Sequence, residues 1–408
     1  MEHKRFVFRP LLAAFFVTLA QLFVAVVLIA PSGPISWRYT TLIQHDSFWF
    51  VNIVERGYDT TVPPISHKMM EVSNVAFFPA YPAVAAALKY GLHFSTYNAL
   101  LVTAQSAAFG FWSYFFLFCE RWNLSPLLQS FGATAVAAHP AAFFLIAGYS
   151  ESLFMMALLG FLFWSTSNVR LARSLAVIHG IFMSATRIVG IPCAAFPVVV
   201  ALLKNGWAGV VDVRSWLRGY ASPVAVMIGA SLGAVGFFFY CVARWGRWDI
   251  YMLTQEAGWA IVPDYLALFK PSSYHWQIPA LNDPVTMSQM TMAIGALLFV
   301  VIAIVELLPA VRRKFSSPIR LGLYFTAFVL FYIAVSGVAC VEMESMLRYQ
   351  FCAHALIVLA LLQFLHQLPT PRPSVRALGM AATVLLSVAG FGLEGWYVWN
   401  FTRGGWVA

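Results

Sequence analysis

Asn74-Val75-Ala76-Phe77-Phe78-Pro79-Ala80-Tyr81-Pro82 opens an apolar segment, 75–93, on which the topology of this chain turns. The segment is apolar enough to enter a bilayer. It is also short and carries two prolines, which break the hydrogen-bond ladder of a spanning helix. Eleven other segments are long and apolar enough to cross, or nearly so: 11–30, 98–118, 128–147, 151–167, 174–188, 189–203, 221–243, 289–309, 320–340, 350–366 and 376–399. The stretch 174–203 reads either as a hairpin or as one long kinked helix.

Charge decides how 75–93 is read. With 75–93 in the outer interface and 174–203 a hairpin, the inner side carries 15 of the 25 Lys and Arg but four of the 16 acids, a net +11. The outer side then carries ten bases and twelve acids, a net −2. If 75–93 crossed, twelve of the inner bases would move outside, against the positive-inside tendency. The expected topology has about eleven spans, the N-terminus inside and the C-terminus outside. The basic start, Met1 to Pro10, runs into the first apolar segment without a clear small-residue cleavage site, which fits an uncleaved first span.

Composition agrees. Of the 408 residues 61% are hydrophobic and 10% charged, whereas soluble domains carry about 25% charged residues. The expected fold class is therefore all-α, a polytopic transmembrane helical bundle forming one integral-membrane domain over residues 1–408. The net charge of +9 reflects the placement of inner-loop anchors, such as Arg312-Arg313-Lys314 and the Pro-rich run 369–373, and not a nucleic-acid surface. The five cysteines, Cys119, Cys193, Cys241, Cys340 and Cys352, are scattered and suit packing better than metal ligation or a disulfide framework. No phosphate loop, dinucleotide fingerprint, metal cluster or nucleophile elbow occurs.

The groups suited to chemistry gather on the outer pieces: loop 31–97, the turn Gly148-Tyr149-Ser150-Glu151, the tip at Arg187, loop 244–288, and 341–350. In Gln44-His45-Asp46-Ser47-Phe48-Trp49-Phe50, the residues Trp49, Phe50, Ile53 and Val54 recur at helical spacing. They predict an interfacial helix over about 46–58 with Asp46 near its start. Asp46 either caps that helix or serves as general base toward an acceptor hydroxyl, with His45 placed to tune it. Glu151 opens an apolar helix, where it complements the positive helix end or meets an acceptor or a base. Arg187 and Arg348 lie at membrane depth, where ionisable groups are paired or functional, and a guanidinium forks well onto phosphate oxygens. Arg187 reads as a pair for an outer acid or as a phosphate ligand. Arg348 reads as a headgroup anchor or as a phosphate ligand. In Arg244-Trp245-Gly246-Arg247-Trp248-Asp249, Arg247 belongs to an interfacial belt or a substrate groove. Gln255 and Trp259, four apart, share one helical face.

Taken together, Asp46, Gly57-Tyr58, the run from Asn74 to Pro82, and Tyr149-Ser150-Glu151-Ser152-Leu153-Phe154 resemble the PIG-V family. Its eukaryotic members are the second mannosyltransferase of glycosylphosphatidylinositol assembly, and it has many bacterial relatives. The match covers residues 45 to about 190, with Gln255, Trp259 and Arg348-Tyr349 as weaker echoes. The resemblance implies the GT-C class of membrane glycosyltransferases, which use polyprenyl- or dolichyl-phosphate sugars on the non-cytoplasmic face. It places Asp46 on the family's first acidic motif and Glu151 on the second. One departure is His45, where the family usually has Trp.

The resulting expectation is an inverting transferase that needs no metal or other cofactor. It moves a hexose, mannose by resemblance, from a polyprenyl-phosphate carrier to a glycan, glycolipid or protein acceptor. Asp46 and Glu151 are its catalytic acids, and Arg348, Arg187 and Arg247 hold the donor phosphate. His45, Tyr58, Asn74, Phe78, Tyr81, Tyr149, Gln255, Trp259 and Tyr349 line the substrates. A bacterial plasma membrane is favoured, or the endoplasmic reticulum in a eukaryote. The alternatives are a non-catalytic subunit of a glycosylation complex, working beside a small membrane partner, and a lipid or solute transporter. The second lacks the paired internal repeats common in that class.

Overall fold

The computed structural model describes residues 2–64, 73–207, 210, 212–275, 279–280, 283–369 and 373–407. Expectations for the other positions, including most of the Pro-rich run 369–373, lie outside the described residues. Among the described residues, seven helices are long and apolar enough to cross a membrane: Arg9–Ile29, Thr96–Arg121, Ala221–Trp245, Pro284–Leu307, Pro318–Val341, Met346–Gln367 and Ala377–Phe401. Two shorter apolar helices, Glu151–Ser165 and Gly190–Asn205, lie among them. The described regular structure is helical, with one isolated bridge, Thr60 to Ser73. The chain is thus an all-α integral-membrane bundle, as its composition dictates: where no water meets the backbone, helices satisfy every peptide group internally.

In chain order, α1 (Glu2–Phe23) continues as a π-helical turn over Val24–Ile29 and is followed by α2 (Ile35–Thr40), α3 (Ser47–Arg56) and α4 (Ala80–Leu92). The next elements are α5 (Thr96–Arg121), α6 (Pro126–Ala137), α7 (Glu151–Ser165), α8 (Ala172–Thr186), α9 (Gly190–Cys193) and α10 (Phe196–Asn205). Then come α11 (Val213–Gly219), α12 (Ala221–Trp245), α13 (Ile250–Trp259), α14 (Pro284–Leu307), α15 (Pro309–Lys314), α16 (Pro318–Val338), α17 (Met346–Gln367) and α18 (Pro373–Phe401). The interior runs through α5, α7 and α17. Their fully buried aromatics and aliphatics, such as Phe111, Trp112, Phe154, Phe161, Phe351 and Leu359, form one continuous core.

The segment 75–93 behaves as its prolines foretell. Only Ala80–Leu92 is helical, and it lies on α3 and the first turns of α5. Tyr81 donates to Leu100 O at 2.9 Å, Tyr90 to Val54 O at 3.1 Å, and Lys89 pairs with Glu55. The stretch 174–203 is a hairpin. Val177 and Ser184 of α8 meet Gly229 and Ala234 of α12 in parallel order, whereas Ile191 packs near Phe237 and Tyr220 reaches Gly206, so α9 and α10 run back. Gly190 makes the turn possible: a Cβ there would lie 2.7 Å from Met183 O and Ser184 Cα.

The segment 128–147 differs from a simple span. Helix α6 stops at Ala137 and a 3-10 turn, Ala142–Leu145, follows. Pro140 accounts for the break, since it lacks the N–H that a continuing helix needs. Charge clusters occupy both ends of the bundle. At one end Arg320 of α16, fully buried, forks onto Glu306 with bonds of 2.7 and 2.8 Å and donates to Gln367 at 2.8 Å. At the other end, about 28 Å away along α17 at 1.5 Å per residue, lies Arg348.

Candidate active site

Four charged side chains meet where α3, α7, the α8–α9 turn and α17 begin or end. Arg348 Nη1 donates to Asp46 Oδ2 at 2.8 Å, and its Nε lies 3.5 Å from Glu151 Oε1. Arg187 Nη1 donates to the same Glu151 oxygen at 2.9 Å. The result is a chain of alternating charge: Asp46, Arg348, Glu151, Arg187. Two carboxylates and two guanidiniums cancel, which makes this concentration of charge tolerable within an apolar bundle.

Local backbone places each member. Asp46 precedes α3, yet its side chain makes no capping bond and turns to Arg348 instead. The preceding residue, His45, holds a left-handed φ of 47°. Before Arg348, Glu342, Met343 and Ser345 all have φ between 53° and 65°, a region costing on the order of 1–3 kcal/mol for a residue with a Cβ. Two strained turns thus aim the two partners at each other. Gly148 lets the Asp46 loop approach the Glu151 turn: its N–H donates to Leu42 O at 3.0 Å, and an added Cβ would meet Ile43 Cδ1 at 2.3 Å. Arg187 stands in extended backbone just past α8, at the hairpin tip.

Aromatic faces surround the guanidiniums. Arg348 lies 5.6 Å from the ring of Phe144, 5.3 Å from Tyr149 and 5.1 Å from Tyr349, and Arg187 lies 5.1 Å from Tyr349. Such contacts suit a desolvated cation. The break in α6 delivers Phe144. Burial, together with the Asp46 carboxylate, holds the Tyr149 phenol well above its ordinary range, so it stays a neutral O–H. Burial and neighbouring Tyr349 push the Tyr251 phenol up to about 12. Exposure is graded: Glu151 is 2% exposed, Arg348 6%, Asp46 19% and Arg187 21%. Asp46 is therefore the carboxylate that an incoming molecule meets, whereas Glu151 lies beneath. Glu151 Oε2 and Arg348 Nε are buried without a hydrogen-bond partner.

The other expected site residues divide in two. Tyr149 and Tyr349 join the cluster, the latter accepting from Arg348 Nη2 at 3.3 Å. Trp259 packs on Trp49 and Phe77, and Gln255 donates to Ala76 O at 3.3 Å. Asn74, Tyr58, Phe78 and Tyr81 instead fasten the loop. Asn74 binds Asn52 Oδ1 at 2.7 Å, Gly57 O at 2.9 Å and Asp59 N at 3.0 Å. Tyr58 donates to Phe77 O at 2.7 Å, and Phe78 sits among Phe237, Phe238 and Tyr251.

Two residues point elsewhere. Arg247 is not brought to the cluster: it forms an exposed bidentate pair with Asp249, its neighbour two residues on, at 2.9 and 2.7 Å. His45 faces away from Asp46, bonding Gly405 O at 2.9 Å and lying against Phe401 and Trp406. Phe144 and Tyr251 are the cluster members that the sequence reading lacks; an aromatic in an apolar run carries no signal of its own.

No family model matches the chain, and no curated protein matches it in sequence. Among solved structures it is similar to ArnT from Cupriavidus metallidurans bound to undecaprenyl phosphate. The TM-score is 0.50 at 14% identity, over 96% of this chain and 75% of that one. The apo state of the same protein gives 0.50 at 16% identity over the same shares. The archaeal oligosaccharyltransferase AglB from Archaeoglobus fulgidus, in complex with an inhibitory peptide and a dolichol-phosphate, gives 0.49 at 12% identity, over 97% of this chain and 56% of that one. The likeness to ArnT extends over nearly the whole chain and is a likeness of fold, an all-α membrane bundle.

Proposed function

We propose that the protein is a membrane glycosyltransferase that moves a hexose, mannose in the closest reading of its motifs, from a polyprenyl monophosphate carrier to an acceptor hydroxyl. One observation carries this reading. Asp46, the more accessible carboxylate, is bonded to a buried arginine that also neighbours Glu151 and three aromatic rings. The undecaprenyl phosphate bound to the similarly folded ArnT supports a polyprenyl phosphate as carrier.

The chemistry follows from the charges. The carrier phosphate takes the guanidinium of Arg348, with Arg187 beside it, and Asp46 is freed from its partner. The Asp46 carboxylate removes the proton of the acceptor hydroxyl as that oxygen attacks the anomeric carbon. The bond from the anomeric carbon to the phosphate oxygen breaks on the opposite face, inverting the centre. The electron pair leaves with the polyprenyl phosphate, whose growing charge the arginines stabilise. Glu151 keeps both guanidiniums in place throughout. No metal takes part in this scheme, and the site faces the periplasm, exterior or lumen.

The test is transfer from polyprenyl-phosphate-mannose by purified protein to a panel of glycan, glycolipid and peptide acceptors. Transfer should occur in the wild type and vanish in Asp46→Asn. Undiminished transfer by a well-folded Asp46→Asn protein removes the proposed base.

A further inference from the structure

We propose that the pocket between the far ends of α1 and α18 is a second phosphate site, one that seats the headgroup of an anionic phospholipid. The pocket has a volume of about 440 Å³, and Ile29, Ala30, Ser32, Arg38, Trp399 and Arg403 are among its lining residues. It lies apart from the four-charge cluster and shares none of its side chains.

Both arginines are committed only to backbone oxygens. Arg38 Nη2 donates to Val27 O at 2.7 Å and Ala30 O at 3.0 Å. Arg403 Nη1 donates to Trp399 O at 3.0 Å and Ile29 O at 3.4 Å. Capping of this kind is ordinary for arginine at a helix C-terminus. It uses one nitrogen of each fork, however, and no carboxylate pairs with either side chain among the described residues. Arg38 Nε is buried without any acceptor, and such a group in a native fold calls for an ion, water or ligand. Two guanidiniums lining one pocket, each with only one of its nitrogens in a hydrogen bond, match the oxygens of a phosphate.

The surroundings select a lipid over a soluble anion. Leu28 is 63% exposed, and the stacked Trp396 and Trp399 are about 40% exposed, so the pocket opens through an apolar rim. Tryptophan beside arginine at a span end is the signature of the headgroup layer. The Arg403 guanidinium lies 4.3 Å over the Trp399 ring, leaving that face of the pocket greasy and charged at once. Arg403 is also two residues from Gly405, whose carbonyl is held by His45 next to Asp46. A lipid seated here therefore steadies the tail that flanks the Asp46 loop.

The experiment is a binding titration of the full chain in neutral detergent, read by Trp399 fluorescence and by native mass spectrometry. The probes are phosphatidylglycerol, phosphatidylcholine and inorganic phosphate. Phosphatidylglycerol should bind, and Arg38→Gln with Arg403→Gln should weaken it roughly tenfold or more, given what one cation contributes at an anionic membrane surface. Arg403→Gln alone should weaken it roughly fivefold, with circular dichroism and thermal unfolding confirming that the variant is folded. Unchanged affinity in Arg403→Gln, or equally tight phosphatidylcholine, overturns the site. Displacement of the lipid by an equal concentration of inorganic phosphate overturns the lipid as its source. None of these readouts involves sugar transfer, so the outcome is separate from that of the proposed reaction.

Discussion

At the scale of single residues, the two carboxylates differ in what they hold. Asp46 has one arginine partner and is partly open; Glu151 has two and is sealed. Replacing Asp46 by Asn removes a proton acceptor and one of the two carboxylates beside Arg348, which keeps Glu151. Turnover should fall about 10²- to 10⁴-fold with a smaller drop in the unfolding midpoint than Glu151→Gln gives, measured by single-turnover transfer alongside thermal unfolding. Replacing Glu151 by Gln leaves two buried guanidiniums short of a counter-charge. It should cost roughly 3–5 kcal/mol of stability, seen as a drop in the unfolding midpoint larger than that of Asp46→Asn, since Glu151 serves two arginines and Asp46 one. All four charges were legible in the sequence because an ionisable group stands out in so apolar a chain. Their pairing was not, since Asp46 and Arg348 lie 302 residues apart. Arg247 looked equivalent to them and is not, because a local acid at position 249 satisfies it first.

At the scale of elements, the loops and turns carry the precision. The run from Asn74 to Pro82 was readable as a distinctive motif, and its largest contribution is mechanical: it pins the loop beneath α3 through Asn74 and Tyr81. The break in α6 was hidden in an apolar stretch, although Pro140 was in plain view. Two substitutions test this level. Gly148→Val forces the Asp46 loop away from the Glu151 turn. It should lower transfer while leaving helix content by circular dichroism intact. Ser345→Gly relieves a left-handed residue and should stabilise the fold by up to about 1 kcal/mol. Greater slack in the turn should make Arg348 less well aimed, so KM for the carrier should rise even as the unfolding midpoint does.

At the scale of the whole molecule, one end of the bundle carries the four-charge cluster and the other is locked by an ion pair. The fork of Arg320 on Glu306 ties α16 to the end of α14. Glu306→Gln should therefore lower the unfolding midpoint yet leave kcat and KM of the folded fraction unchanged. A chelator added to the transfer assay should likewise change nothing. The bundle was legible from composition because a membrane leaves a chain few architectures. The neutrality of the site has a further kinetic consequence. A loaded carrier is a phosphodiester with one negative charge, and a spent one is a monoester approaching two. Two guanidiniums at one slot grip the second more firmly than the first, most of all at low ionic strength. On the proposed reaction, the discharged lipid should therefore inhibit competitively against the loaded carrier, most strongly at low ionic strength, which a transfer assay with added polyprenyl phosphate checks.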